Sequence, residues 1–159
     1  MSEQLKILRT QIPFNKSVTL VGGAFDLLHP GHLHVLDFAK KLGDILVVSV
    51  LSDKYIKSYK GDSRPVMPEN YRLMMIKSVK MVDYAFIADS SSYSLDNLLI
   101  LKPNNLVFGN DDSPARKEKV KRQKMDIRAQ FPCIAFHDLD RFNDPSMSTT
   151  ELIKKINNL

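Results

Sequence analysis

The sequence predicts an α/β fold: a single domain built on a doubly wound, five-stranded parallel sheet. Three observations carry that prediction. Five short apolar, β-branched runs punctuate the 159 residues, longer segments with helical spacing separate them, and the two kinds alternate throughout. Crossovers between parallel strands are right-handed, so the connecting helices cover both faces of the sheet. Ligands of such sheets bind at the carboxyl ends of the strands, near the point where the winding reverses.

Residues 1–16 read as an N-terminal helix or arm packed outside the sheet, and residues 17–159 as the domain itself. The first strand is "SVTLVG" (17–22). A helix follows in "GHLHVLDFAKKLG", with Leu33, Leu36 and Leu42 near one face and Gly43 as its stop. The second strand is "DILVVSVL" (44–51), and the "KYIKSYKG" beyond it reads as a basic loop. "PENYRLMMIKSVKM" (68–81) opens with Pro and Glu, which suit a first helical turn, and carries Leu73, Ile76 and Val79. The third strand, "VDYAFIA" (82–88), the helix "SYSLDNLLILK" and the fourth strand, "NNLVFG" (104–109), follow in turn. "PARKEKVKRQKMDIRAQ" reads as a helix whose basic run "ARKEKVKRQK" (115–124) is a solvated face, with an acceptor-phosphate contact or an oligomer surface as the alternatives, and "PCIAFH" (132–137) as the fifth strand. "STTELIKKINNL" closes the chain with a capping box, Ser148 at the cap and Glu151 three residues on.

Composition bounds the function. Apolar residues make up 43% and charged residues 26%, ordinary for a soluble globular protein. No apolar run approaches the ~20 residues of a membrane span, and "MSEQLKILRTQIPF" lacks a signal-peptide layout. The single cysteine, Cys133, cannot form an internal disulfide, so a cytoplasmic location is expected. Within "CIAFH" it reads as core filler, as do Met74, Met75 and Met81. The net charge of +5 suits anionic substrates, while the absence of tryptophan and of an aromatic ladder argues against nucleic acid.

One connection stands apart. "GGAFDLLHPGH" (22–32) joins the first strand to a helix that begins at Pro30, a residue suited to the first helical position. A helix N-terminus has free N–H groups and partial positive charge, so it attracts phosphate. Gly31 lets a ligand approach the backbone, and His29 and His32 flank that point as imidazole donors. Asp26 would brace the loop by accepting from backbone N–H groups. His-Pro-Gly-His could also be half of a zinc site, but the further ligands at set spacings are missing. His34 and His137 read as structural.

From Val18 to Ile156 the chain resembles the HxGH nucleotidyltransferases, the cytidylyltransferase-like group in particular, through Phe25, Asp26, His29, Gly31 and His32. "KGDSRPVMPENYRLMMIKSVKMVDYAFI" looks like the adenylyltransferase domain of ADP-heptose synthases, and "STTELIKKI" matches that group's closing helix. The resemblance implies a Rossmann-like fold and transfer of a nucleoside monophosphate, AMP from ATP, to a phosphorylated sugar such as heptose 1-phosphate, releasing pyrophosphate. It implies that His29 and His32 contact the triphosphate and act in catalysis with Lys60. Gly23, Ala24, Phe25, Asp26, Gly31, Lys57, Arg72, Gly109, Asn110, Asp111, Ser148 and Thr149 would hold the nucleotide, and Lys60 with Arg64 the acceptor. Asp53 would order the loop after the second strand. Magnesium would arrive with the triphosphate, keeping most of its waters and needing no protein metal site.

The segment after the fourth strand departs from the heptose branch. Phe108, Gly109, Asn110, Asp111 and Asp112 stand nearer the Gly-Asp-Asp-Trp of glycerol-3-phosphate cytidylyltransferases, Ser146 replaces a glycine common in several branches, and Arg141 is out of register with a glycerol-phosphate-branch arginine. A cytidylyltransferase for glycerol 3-phosphate or another polyol phosphate is therefore the alternative, and a flavin-nucleotide-forming adenylyltransferase a third. From another class, a non-catalytic nucleotide-binding subunit would need no paired transition-state donors. The resemblance also admits a homodimer or higher homo-oligomer.

Overall fold

In the computed structural model, which describes residues 2–109, 114–140, 142–144 and 146–158, five parallel strands lie in the order β3-β2-β1-β4-β5. They are β1 (Val18–Gly23), β2 (Ile45–Leu51), β3 (Tyr84–Ala88), β4 (Asn105–Gly109) and β5 (Ala135–Leu139). The chain winds outward from β1 through β2 to β3, then returns across β1 to lay down β4 and β5. The reversal therefore falls between β1 and β4.

Side chains alternate between the two faces, as the pleat requires. Leu20, Val47 and Leu106 face one apolar layer with Leu5, Leu98, Leu101 and Ile127. Val21, Leu46, Val48 and Val107 face the other with Leu36, Ala39 and Ile76. The first layer is covered by α1 (Ser2–Gln11), α5 (Leu95–Leu101) and α6 (Pro114–Gln130), the second by α2 (Pro30–Lys40) and α4 (Glu69–Lys77). Leu5, Leu8 and Ile12 of the N-terminal segment are buried in the first layer.

Several expectations need correction. "DKYIKSYK" is a helix, α3 (Asp53–Lys60), rather than a loop: the Ser52 hydroxyl accepts from the Tyr55 amide, Ile56 is buried, and Gly61 ends it at φ 85°. The fifth strand starts at Ala135 rather than 132, because the Ile134 amide turns back to Phe131 and Arg128 caps the carbonyls of Pro132 and Ile134. That turn leaves Cys133 exposed and gives the interior place to Ile134, so Cys133 is not core filler. Met74 and Leu33 also face solvent, on the outer sides of α4 and α2. Gly43 is not a helix stop: α2 ends three residues earlier, at Lys40, and a Cβ at Gly43 would fall 2.8 Å from the Thr19 hydroxyl.

Candidate active site

The site begins where β1 and β4 part. Their ladder runs only from Thr19↔Asn105 to Val21↔Val107. Beyond it the buried phenol of Tyr93 accepts from the Gly22 amide at 3.1 Å and donates to the Val107 carbonyl. Burial raises the phenol's pKa, so it stays protonated and keeps that donor. Gly22 leaves room for this plug, since a Cβ there would fall 2.1 Å from the Ser92 side chain. The sequence reading gave Tyr93 no role; nothing in "SSSYSL" marks it, because its partners are backbone groups on two strands.

The loop from Gly23 to α2 takes a costly path. Phe25 and Leu27 both have left-handed backbone, at φ 50° and 48°, which costs about 1–2 kcal/mol at each non-glycine residue. Between them Asp26 is buried, and its carboxylate accepts from the amides of Val66 and Met67 at 2.9 and 3.0 Å and lies 3.3 Å from the Arg64 guanidinium. So Asp26 does accept backbone N–H groups, but from the α3–α4 connection rather than its own loop. It fastens that connection to the first loop and has no free edge for a nucleotide.

Arg72 is likewise reassigned. It is 0% exposed and donates to the carbonyls of Met67, Ala24 and Leu51 and to the Asp53 carboxylate at 2.7 Å. A guanidinium spent on four internal acceptors does not touch phosphate; it ties together the ends of β1, β2 and the turn before α4. Asp53 orders its surroundings through a reciprocal pair of caps, its carboxylate accepting from the Glu69 amide and Glu69 accepting from its own.

Over this frame α2 presents the two histidines. Their rings stack at 3.8 Å between centroids, with Phe25 packed on His32 at 5.3 Å. The spacing of three residues across Pro30 and Gly31 brings them together, and a Cβ on Gly31 would crowd both the His29 ring, at 3.0 Å, and the Met147 carbonyl, at 3.2 Å. Burial lowers the pKa of His29. For His32 burial, then the His29 and Lys60 charges, outweigh the pull of Asp26 and push the pKa down to about 3. Both imidazoles are therefore neutral at pH 7. Nδ1 of each is buried without a hydrogen-bond partner, a deficit worth about 1–3 kcal/mol per group.

A second helix N-terminus faces the first. It belongs to α7 (Thr149–Asn157), whose cap Ser148 accepts from the Glu151 amide. That bond uses the Ser148 oxygen as acceptor and leaves its hydroxyl hydrogen for a ligand. Thr149 differs: its hydroxyl donates to the Asp26 carbonyl, so only its backbone can serve an anion. Lys60 closes α3, near enough for its charge to act on His32. Lys57 is exposed on the same helix, and Gly109 ends β4 in open space. Asn110 and Asp111 lie outside the described residues, as do Asp112 and Arg141. Of the residues singled out from sequence, the structure thus brings together His29, Gly31, His32, Lys60, Ser148 and the Thr149 backbone, with Gly23, Ala24 and Phe25 beneath them. His34 and His137 have structural partners, in Phe142 and Asn105.

Paired neutral imidazoles beside two helix N-termini at a winding reversal suit a phosphate-bearing ligand. Comparison with known proteins narrows that class. Residues 20–155 match the family model described as Cytidylyltransferase-like, and the chain belongs to that family of nucleotidyltransferases. It is 36% identical over 154 residues to the Bifunctional protein HldE of Campylobacter jejuni, an alignment spanning 97% of this chain and 30% of HldE. The lipopolysaccharide core biosynthesis protein of Thermoplasma volcanium superposes with a TM-score of 0.62 at 27% identity, over 81% of this chain and 100% of that one. The pantoate-beta-alanine ligase of Francisella tularensis shares the fold, with a TM-score of 0.69 at 18% identity over 99% of this chain and 76% of its own. No helix among the described residues is long and apolar enough to cross a membrane.

Proposed function

We propose that this chain transfers AMP from ATP to the phosphate of a phosphorylated sugar, heptose 1-phosphate being the leading candidate, and releases pyrophosphate. The observation that carries this reading is the stacked pair His29 and His32 at the α2 N-terminus, each with a ring nitrogen lacking a protein partner. The sugar acceptor draws support from the likeness to HldE and to a lipopolysaccharide core biosynthesis protein.

The chemistry asks little of the protein beyond alignment and charge. An acceptor phosphate oxygen, already ionised at neutral pH, bonds to the α-phosphorus as the bond to the bridging oxygen breaks, and the electron pair leaves with pyrophosphate. The two neutral imidazoles donate N–H to the α-phosphate oxygens, where charge grows in the transition state. The first turns of α2 and α7, with the Ser148 hydroxyl, hold the departing phosphates. Lys60 neutralises charge between donor and acceptor. Such fixed donors are each worth roughly a hundred- to a thousand-fold in rate.

Magnesium fits this donor set as a companion of the triphosphate, where it would neutralise phosphate charge. Among the described residues no cluster of three His, Cys, Asp or Glu stands ready as a cage, and the nearby carboxylate of Asp26 is taken by two amides and Arg64. Cytidylyl transfer to a polyol phosphate is the second reading, favoured by Gly109, Asn110, Asp111 and Asp112 in sequence. Pyrophosphate release over a grid of nucleoside triphosphates and phosphorylated acceptors tests both. ATP with a sugar 1-phosphate should stand out; CTP with glycerol 3-phosphate would install the second reading, and tight nucleotide binding without turnover across the grid would make the chain a nucleotide-binding subunit.

A further inference from the structure

The turn before α5 presses one side chain into the fork between β1 and β4. Val107 is the last β4 residue in register with β1, and Gly22 is the first β1 residue beyond that ladder. From here each strand holds to its outer neighbour: Gly22 and Gly23 stay paired with β2, Phe108 and Gly109 with β5. The Tyr93 hydroxyl accepts from the Gly22 amide and donates to the Val107 carbonyl, so it ties the two halves of the sheet together where they separate. The turn that carries it is held from both flanking helices. The buried Asn97 side chain of α5 donates to the carbonyls of Ser91 and Ser92, at 3.4 and 3.3 Å, and Gln123 of α6 donates to the Ser91 hydroxyl at 2.7 Å. Phe108 packs on the Tyr93 ring at 4.7 Å. Leucine or phenylalanine fills the other large positions of this layer, as at Leu98, Leu106 and Phe86. A buried phenol is a costlier choice, because its hydroxyl must find partners, and here both partners lie on diverging strands.

We propose that Tyr93 is a positioning residue for the nucleoside triphosphate: its hydroxyl fixes the end of β1 against the end of β4, and with them the two sides of the crevice that the nucleotide spans. The proposal rests on the nucleotidyl-transfer reading and adds a residue that acts through the strands rather than by touching substrate. On that reading the phosphates lie on the β1 side, at the first turns of α2 and α7, and the nucleoside reaches across to Gly109 at the end of β4. A ligand that bridges a fork loses contacts on one side when the fork changes width. A misplacement of about 1 Å is enough to cost on the order of a hundred-fold in rate. Inorganic pyrophosphate fills the phosphate side alone, and the acceptor approaches by Lys60 at the end of α3, on the β2 side. Neither crosses the fork, so Tyr93 acts selectively on the nucleotide.

The test is steady-state turnover with the best triphosphate and acceptor from the grid varied separately, together with inhibition by added inorganic pyrophosphate. Tyr93→Phe keeps the ring and removes the bridge. It should raise the KM for the triphosphate roughly tenfold, the scale of the hydrogen bonds lost, and leave the acceptor KM and the pyrophosphate inhibition constant at their wild-type values. Gln123→Leu frees the turn from α6 and should move the triphosphate KM the same way by a smaller factor. Leu8→Ala, in α1 on the same apolar layer, should lower the melting temperature and leave all three constants alone. KM does not depend on the fraction of protein folded, so these constants separate positioning from stability. An unchanged triphosphate KM in Tyr93→Phe, a rise in all three constants together, or an equal rise in Leu8→Ala overturns the proposal. Should Tyr93→Phe fail to fold, a wild-type triphosphate KM in Gln123→Leu overturns it instead. A wild type that turns over no phosphorylated acceptor overturns the nucleotidyl-transfer reading beneath it.

Discussion

The hydroxyl of Thr149 donates to the carbonyl of Asp26 at 2.7 Å, joining positions 123 residues apart. This bond fixes the N-terminus of α7 against the loop that carries the histidines. On the proposed mechanism the bond matters because it sets the α7 helix end, which among the described residues buries no side chain fully, against the loop that shares the triphosphate.

Thr149→Val keeps the shape and removes the donor. It should lower stability by about 1 kcal/mol and raise the KM for the nucleoside triphosphate more than that for the acceptor, while Thr149→Ser restores both. A variant with wild-type kinetics would show that α7 is positioned by other contacts.

On the proposed mechanism His32→Ala removes a donor to the α-phosphate and leaves its stacked partner in place. Turnover should fall at least about a hundred-fold, with little change in melting temperature, because the lost ring is half-buried and leaves no charged group unpaired. Activity close to wild type would refute the role assigned to the pair.

Arg72→Met should act on folding. It orphans the carbonyls of Met67, Ala24 and Leu51 and strips the Asp53 carboxylate of its guanidinium, a loss on the order of 3 kcal/mol or more. Urea denaturation measures it directly. A variant that unfolds at the wild-type midpoint but binds triphosphate poorly would return Arg72 to the phosphates.

These cases also show what was legible in the sequence. The strand alternation and the "GGAFDLLHPGH" loop stand in continuous residues, so the sheet and the histidine pair could be read from local pattern. The helix α3 was legible as well, with Ser52 before it, Asp53 in its first turn and Gly61 after it, but its density of lysines made it look like a loop. Three relationships were not legible. Asp26 reaches Val66, Arg72 reaches Leu51, and Tyr93 reaches Gly22, each across a gap that only the folded sheet closes. A residue-type signature cannot separate an arginine that meets phosphate from one that meets three carbonyls, because both uses ask for the same forked donor.

The neutral state of His32 gives a signature in stability as well as in catalysis. Burial is the largest cause pushing its pKa from the ordinary 6.5 down to about 3. Above pH 6.5 both folded and unfolded chains carry it neutral, and it adds no pH dependence. Between 6.5 and 3 the unfolded chain takes up a proton that the folded chain refuses, so stability falls as pH falls, by at most about 1.4 kcal/mol per pH unit from this group. Carboxylates protonate only in the lower part of that window, which isolates the histidine contribution between pH 6.5 and about 5. Melting temperature should therefore decline over that upper interval in the wild type and decline less in His32→Asn, which cannot titrate there. Equal slopes in the two proteins would mean that His32 accepts its proton as readily in the folded state as in the unfolded one, and that burial does not hold it neutral.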